Sequence, residues 1–170
     1  FDGEIVAWDG TQPLPFNTLQ QRIGRKTVPK KLLKEAPVIL LAYDLLEDKG
    51  EDMRHQPLAT RRARLDAILR DLPGDAPVQA SPTVSFDTWV DLAQTRAKAR
   101  DHRAEGLMLK RRDSPYVGGR RAGLWYKWKR DPLLVDCVLM YAQRGSGKRS
   151  SFYSDYTFGC WDGDPDNGAE

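Results

Sequence analysis

The sequence predicts an α+β fold built on antiparallel sheets, and three observations predict it. Apolar runs of strand length recur along the chain, helical periodicity fills the stretches between them, and the best-defined strands are paired as a hairpin. That hairpin spans Glu105 to Lys129: Glu105-Gly-Leu-Met-Leu-Lys110 and Trp125-Tyr-Lys-Trp-Lys129 alternate as strands do, around a basic, glycine-rich loop.

Composition fits one globular domain, or most of one domain and the beginning of another. Hydrophobic residues make up 40% and charged residues 30% of the 170 positions, without a low-complexity tract. No apolar run approaches the roughly 20 residues that cross a bilayer. Phe1-Asp2-Gly3-Glu4 is acidic where a signal peptide is basic, so a cytoplasmic monomer with no membrane association is expected. The net charge is only +3, but arginines crowd positions 96 to 130 and 144 to 149, which points to a basic face. Cys137 and Cys160 lack any Cys-x-x-Cys or histidine-rich spacing and read as core thiols.

In chain order, Glu4 to Trp8 reads as a strand closed by an Asp9-Gly10 turn. Phe16, Leu19 and Ile23 then fall at helical spacing, with Gly24 placed as a C-terminal cap and Arg22, Arg25 and Lys26 around it. Cations there suit the helix macrodipole, and they equally suit a phosphate. Pro29 starts a short helix through Leu32 and Leu33. Val38 to Leu46 is a long apolar run, ended by Asp48-Lys49-Gly50, and reads as a central strand with Tyr43 its one aromatic. From Pro57 an amphipathic helix carries Leu58, Leu65, Ile68, Leu69 and Leu72 on one stripe, with Arg61, Arg62, Arg64 and Asp66 off it as a solvated face. Pro73-Gly74 ends it. Ser85 is expected to cap another helix, with Trp89, Leu92 and Ala93 turned inward.

Beyond Lys129, Asp131-Pro132 breaks the strand, and Val135 to Gln143 and Phe152 to Trp161 form two more. A change of domain is expected here, with residues 1–132 in the first domain and 133–170 in the second. Arg144-Gly-Ser-Gly-Lys-Arg149 lacks the glycine spacing of a P-loop and is followed by a strand, so it is not read as one.

The hairpin carries the chemistry. Trp125, Lys127 and Lys129 share one face of their strand, and Tyr126 and Trp128 the other. Two ammonium groups side by side repel, so they need an anion or a solvated exit. A polyphosphate is such an anion, and the Glu105 carboxylate could hold a magnesium ion against it. The alternative is a half-buried strand whose lysines snorkel to water.

Read together, Glu-Gly-Leu-Met-Leu-Lys, Ser-Pro-Tyr with Gly-Arg-Arg, and Trp-Tyr-Lys-Trp-Lys resemble the last two motifs of the nucleotidyltransferase domain of ATP-dependent DNA ligases. Phe-Asp-Gly-Glu-Ile-Val-Ala-Trp resembles an earlier motif of that family, Phe-Asn-Thr-Leu-Gln-Gln-Arg-Ile-Gly-Arg-Lys is similar to bacterial members, and Tyr43-Asp44 looks like the pair that stacks on adenine. The segment from Arg144 to Phe158 is similar to the opening hairpin of the ligase oligonucleotide-binding (OB) barrel. The resemblance runs from Phe1 to about Trp161.

It implies an adenylation domain and the first strands of an OB fold, within an enzyme that seals nicked double-stranded DNA in repair or replication. In this family a lysine attacks the α-phosphate of ATP, AMP passes to the 5′-phosphate at the nick, and the 3′-hydroxyl displaces it. By resemblance, Lys127 and Lys129 stabilise charge on the α-phosphate, Glu4 contacts the ribose, Tyr43 stacks on adenine and Glu105 holds Mg2+. Arg25, Lys26, Arg120 and Arg121 are expected on nucleic-acid phosphates. The lysine of the family motif Lys-x-Asp-Gly-x-Arg is expected upstream of Phe1, which makes the chain an internal fragment, inactive alone. An RNA ligase or capping-type nucleotidyltransferase shares the motif plan, and a catalytically inactive nucleic-acid-binding module is the rival from another class.

Overall fold

The computed structural model describes residues 1–119 and 121–163 and divides the chain into two units, Phe1–Arg130 and Asp131–Glu170. In chain order the first unit runs β1 (Asp2–Ala7), α1 (Phe16–Gln20), α2 (Lys30–Glu35), β2 (Val38–Asp44), β3 (Glu47–Asp48) and β4 (Glu51–Asp52). It continues with α3 (Leu58–Arg70), β5 (Val78–Ala80), α4 (Trp89–Ala97), β6 (Gly106–Lys110) and β7 (Trp125–Lys129).

The apolar run from Val38 makes the central strand of a three-stranded sheet, as its composition predicts. β1 pairs antiparallel with one edge of β2, and the short β5 runs parallel to the other, a pairing the sequence does not announce. Between Gly3 and Asp2 the register slips: Gly3 lies opposite Ala42 but Asp2 opposite Asp44, which leaves Tyr43 as the extra residue of a bulge. A bulge turns a side chain away from the regular pleat. Glu4, opposite Leu41, stands on the side of β2 that Tyr43 occupies by alternation.

The other side of β2 is the core. Ala42, Leu45 and Leu65 are fully enclosed, with Leu40, Met53, Ile68, Leu69 and Val78 packed around them. Leu65 and Ile68 belong to the stripe that spacing places on one face of α3. Truncating Leu65 to alanine would cost about 2–5 kcal/mol. Arg61, expected in solvent, is instead completely buried. Its guanidinium makes two parallel bonds to the buried Asp44 carboxylate, Nε to Oδ1 at 2.7 Å and Nη2 to Oδ2 at 2.8 Å. The neighbouring arginines are also engaged: Arg62 with Asp66 and the Ser81 carbonyl, Arg64 with Asp48.

Pro57, with φ −54° and no N–H to satisfy, opens α3. The orphan donors of the first turn are met from a distant segment: Leu58 N–H donates to the Ser114 carbonyl and Ala59 N–H to that of Arg112. The loop after β6 is thereby fastened to the helix that carries Arg61. Asp48-Lys49-Gly50-Glu51 closes β3 onto β4 with Lys49 and Gly50 both at positive φ, as tight hairpins require.

Two helices differ from expectation. α1 is only five residues long, and Phe16 and Ile23 of its apolar spacing are exposed. α4 is capped by Thr88 rather than Ser85, through a reciprocal box in which Asp91 N–H donates to Thr88 Oγ1 and Thr88 N–H to Asp91 Oδ2. That start buries Leu92 but leaves Trp89 in solvent. In the second unit β8 (Val138–Arg144) and β9 (Tyr153–Gly159) form an antiparallel pair, joined by the loop 145–152, which holds one 3-10 turn at Gly147–Arg149. A strand-to-strand turn of this kind agrees with the reading against a P-loop.

Candidate nucleotide-binding site

β6 and β7 pair antiparallel with Gly106 opposite Lys129, Met108 opposite Lys127 and Lys110 opposite Trp125. Residues directly opposite share a face. Lys110, Trp125, Lys127 and Lys129 therefore stand on one side of the hairpin, with Lys110 and Trp125 at one end and Lys129 at the other.

At the Lys110 end the hairpin meets the first sheet. Lys110 Nζ lies 4.0 Å from the ring centroid of Tyr43 and 4.0 Å from that of Trp125. An ammonium between two aromatic faces is held by their quadrupoles. It is largely enclosed and makes no hydrogen bond among the described residues. Loss of water there pulls its pKa down, against the opposing pull of the Asp44 and Asp2 carboxylates.

Asp2 ties the rings together. Tyr43 Oη donates to Asp2 Oδ1 at 3.3 Å and Tyr116 Oη to Asp2 Oδ2 at 2.8 Å, while the Tyr116 ring meets Trp125 edge-on with centroids 5.4 Å apart. Burial, then the Asp2 charge and hydrogen bond, push the Tyr43 phenol up to about 12, and the Glu4 carboxylate adds to the shift. The Asp2 hydrogen bond is the first cause of the upward shift at Tyr116. Trp125 is fixed from behind: its indole N–H donates to Ser114 Oγ at 3.2 Å, and the Ser114 carbonyl accepts from buried Arg61 Nη1 at 3.0 Å. One polar chain thus runs from Asp44 on the first sheet to Trp125 on the hairpin.

At the other end Lys129 Nζ pairs with Glu105 Oε2 at 2.8 Å. Both groups are well exposed, and the Lys129 ammonium holds the Glu105 carboxyl below its usual range, with Lys127 and Arg130 adding to it. Gly106 is required between them: at φ +148°, a Cβ there would overlap the Trp128 carbonyl and lie 2.7 Å from Lys129 Cα. On the reverse face Trp128 is half-buried under the Arg96 guanidinium, 5.2 Å from its ring centroid, and Arg96 Nη1 donates to the Lys129 carbonyl at 2.7 Å. Tyr126, on the same face as Trp128 by alternation, is 55% exposed.

Of the residues singled out from sequence, Tyr43 lies at one end, where the charge of Glu4 on the neighbouring strand is felt, Glu105 and Lys129 pair at the other, and Lys127 stands exposed between the two on the shared face. Arg25, Lys26 and Arg121 are exposed, and no hydrogen bond or ion pair among the described residues joins them to either end. Arg25 instead donates to the Gln21 carbonyl at 2.5 Å. Arg120 lies outside the described residues. Sequence reasoning missed Asp2, Lys110, Tyr116 and Trp125. The signal for Lys110 was available: once the two strands are set in register, the lysine ending one falls opposite the tryptophan opening the other.

As a set, these groups offer an aromatic face with an unpartnered cation beside it, then two further lysines and a carboxylate. Among the described residues no three His, Cys, Asp or Glu side chains converge on a metal position. Glu105 alone, with waters and the oxygens of a bound phosphate, still matches how Mg2+ is commonly held, through one or two carboxylates plus substrate phosphates.

Comparison with known proteins identifies the family of the chain. The family model described as the ATP dependent DNA ligase domain matches residues 1–129. A protein named "Probable DNA ligase" from Koribacter versatilis is 37% identical over 92% of this chain and 31% of its own length. A DNA ligase from Haloferax volcanii is 40% identical over 89% of this chain and 25% of its own. The solved structure of mycobacterial DNA ligase D complexed with ATP and MES superposes with a TM-score of 0.55 at 29% identity, over 84% of this chain and 41% of that one. The chain spans about a third or less of the length of these curated relatives. On the strength of the family match over residues 1–129 and these relatives, the chain belongs to the ATP-dependent DNA ligase domain family.

Proposed function

We propose that this chain supplies the nucleotide-binding face of an enzyme that uses ATP and Mg2+ to seal nicks in double-stranded DNA. The single observation that carries the reading is the continuity of the hairpin face. The Lys110–Tyr43–Trp125 cluster at one end and the Glu105–Lys129 pair at the other are joined through Lys127 on the same side of two paired strands. A nucleotide laid along that face has its base against Tyr43 and its phosphates against Lys127 and Lys129.

Each residue then has a task. Tyr43 presents a π-face to the adenine, a contact worth about 1–3 kcal/mol. Glu4 accepts from the ribose hydroxyls. Lys127 and Lys129 place positive charge beside the α-phosphate oxygens, where negative charge builds as the phosphorus is attacked, and fixed charges of this kind act without reorganising. Glu105 would hold Mg2+, which would supply further neutralisation of phosphate charge. Arg25, Lys26, Arg120 and Arg121 neutralise DNA phosphates, and the β8–β9 hairpin is the opening pair of strands of an OB barrel that grips the duplex.

The test is enzyme adenylylation by the intact ligase, read as label transferred to protein from ATP labelled at the α-phosphate. Lys127→Ala and Lys129→Ala should each slow the transfer by about a hundredfold or more. Transfer at the unmodified rate in both variants would remove Lys127 and Lys129 from the reaction, whereas no transfer even in the unmodified protein would leave a nucleic-acid-binding module.

A further inference from the structure

The two cysteines are exposed and adjacent, not buried in a core as their apolar neighbours suggest. Val138 lies opposite Gly159 at the open end of the β8–β9 pair, and one step outward brings Cys137 opposite Cys160. Their Sγ atoms stand 3.1 Å apart, and Cys137 Sγ also lies 3.6 Å from the Val135 carbonyl. Both thiols are open to solvent, and the chain has no third cysteine to compete.

We propose that Cys137 and Cys160 are a redox modification site, forming a reversible disulfide that staples the open end of the second unit's hairpin. Closing the bond asks the sulfurs to approach by about 1 Å, to about 2.05 Å, a movement within reach of side-chain rotation. The link would lie at the end of the β8–β9 pair opposite its connection, just beyond the last paired residues Val138 and Gly159.

The chemistry balances with a small-molecule disulfide of the glutathione class as oxidant. One cysteine, as thiolate, attacks the small disulfide and releases one small thiol, leaving a mixed disulfide on the protein. The second cysteine loses its proton and displaces the remaining small thiol. The protein has then lost two protons and two electrons, and the oxidant has gained them as two thiols. The hydrogen bond shared with Cys160, then burial, hold the Cys137 thiol above its usual range, so it forms the attacking thiolate less readily than a free cysteine does.

The full chain, equilibrated in buffers of reduced and oxidised glutathione, acid-quenched and alkylated, should lose about 2 Da as a monomer, with the peptides holding Cys137 and Cys160 joined. The same titration in urea should need at least about tenfold more oxidising buffer, because the fold brings the thiols together. Cys137→Ser should take up one glutathione at Cys160 without forming a dimer. Equal midpoints in the folded and urea-unfolded chain would overturn the proposal. So would glutathione on each cysteine separately, disulfide-linked dimers, or complete alkylation of both thiols after oxidation.

Discussion

Lys110 Nζ sits 4.0 Å from the centre of the Tyr43 ring, and the two groups titrate in opposite directions. Burial lowers the Lys110 pKa from its ordinary value of 10.5, so over the range just below that value the unfolded chain binds more protons than the folded one. Stability therefore rises with pH through that window. Tyr43 is shifted from 10.0 up to about 12, so above pH 10 the unfolded chain ionises first and stability falls as pH climbs toward 12.

Melting temperature followed from pH 8 to 12 should separate the two. Lys110→Met should flatten the rise below pH 10 and hold or raise stability at pH 8, because an unpartnered buried ammonium is replaced by an apolar chain of similar length. Tyr43→Phe should reduce the loss above pH 10. If Tyr43 stacks on the base, Lys110→Met in the intact protein should also weaken ATP binding, since the cation nearest that ring is gone. A Lys110→Met profile parallel to that of the unmodified chain would mean that Lys110 is solvated.

Arg61 and Asp44 form the most deeply buried ion pair among the described residues, with both side chains fully enclosed. Arg61→Leu leaves the Asp44 carboxylate in the core without its partner and should cost about 3–5 kcal/mol in urea unfolding. Removing both charges, in Arg61→Met with Asp44→Leu, should recover most of that loss. Because Arg61 also donates to the Ser114 carbonyl behind Trp125, the double variant should keep its stability and still bind nucleotide less well. A double variant no more stable than Arg61→Leu would show that the pair is needed for more than its own neutrality.

The hairpin and its lysines are legible in the sequence because they depend on local alternation and on one short-range pairing. Val38 to Asp44 as a central strand and Leu65 on the buried stripe of α3 are legible for the same reason. What stays hidden needs long-range contact. Arg61 lies off an apolar stripe, and only Asp44, seventeen residues earlier and across a sheet, explains its burial. Lys110 becomes a site residue only when the hairpin docks on Tyr43. Trp89 is misplaced because the helix cap is Thr88, three residues beyond Ser85, so that Trp89 is the first helical residue, at the end of α4, and not one turn inside it. The cysteines read as core because apolar neighbours normally mean burial, and the second unit's strands leave theirs in solvent.

Arg121 is exposed in the loop between β6 and β7, and Arg120 beside it lies outside the described residues. If both neutralise DNA phosphates, the affinity of the intact protein for nicked DNA should fall with salt, and the double alanine variant should lose about 0.9 from the log–log slope for each contact removed. Fluorescence anisotropy across a salt series reads this directly. An unchanged slope would leave the loop as ordinary solvated surface.

Gly106 tests how the Glu105–Lys129 end of the hairpin is held. Its φ of +148° is one that side chains rarely adopt, and a Cβ would run into the backbone of Trp128 and Lys129 on the partner strand. Gly50, at φ +86° in the β3–β4 turn, has nothing within 4 Å of the same position. Gly50→Ala therefore isolates the conformational cost, about 1–2 kcal/mol, while Gly106→Ala adds the overlap and should cost more. The overlap can be relieved only by moving β7 away from β6, which shifts Lys129 relative to Glu105. On the proposed function, Gly106→Ala in the intact protein should then slow adenylylation well beyond its effect on the urea midpoint, whereas Gly50→Ala should leave the rate unchanged. Equal destabilisation by the two variants, with normal adenylylation in both, would show that the strands separate easily and that the Glu105–Lys129 spacing does not set the rate.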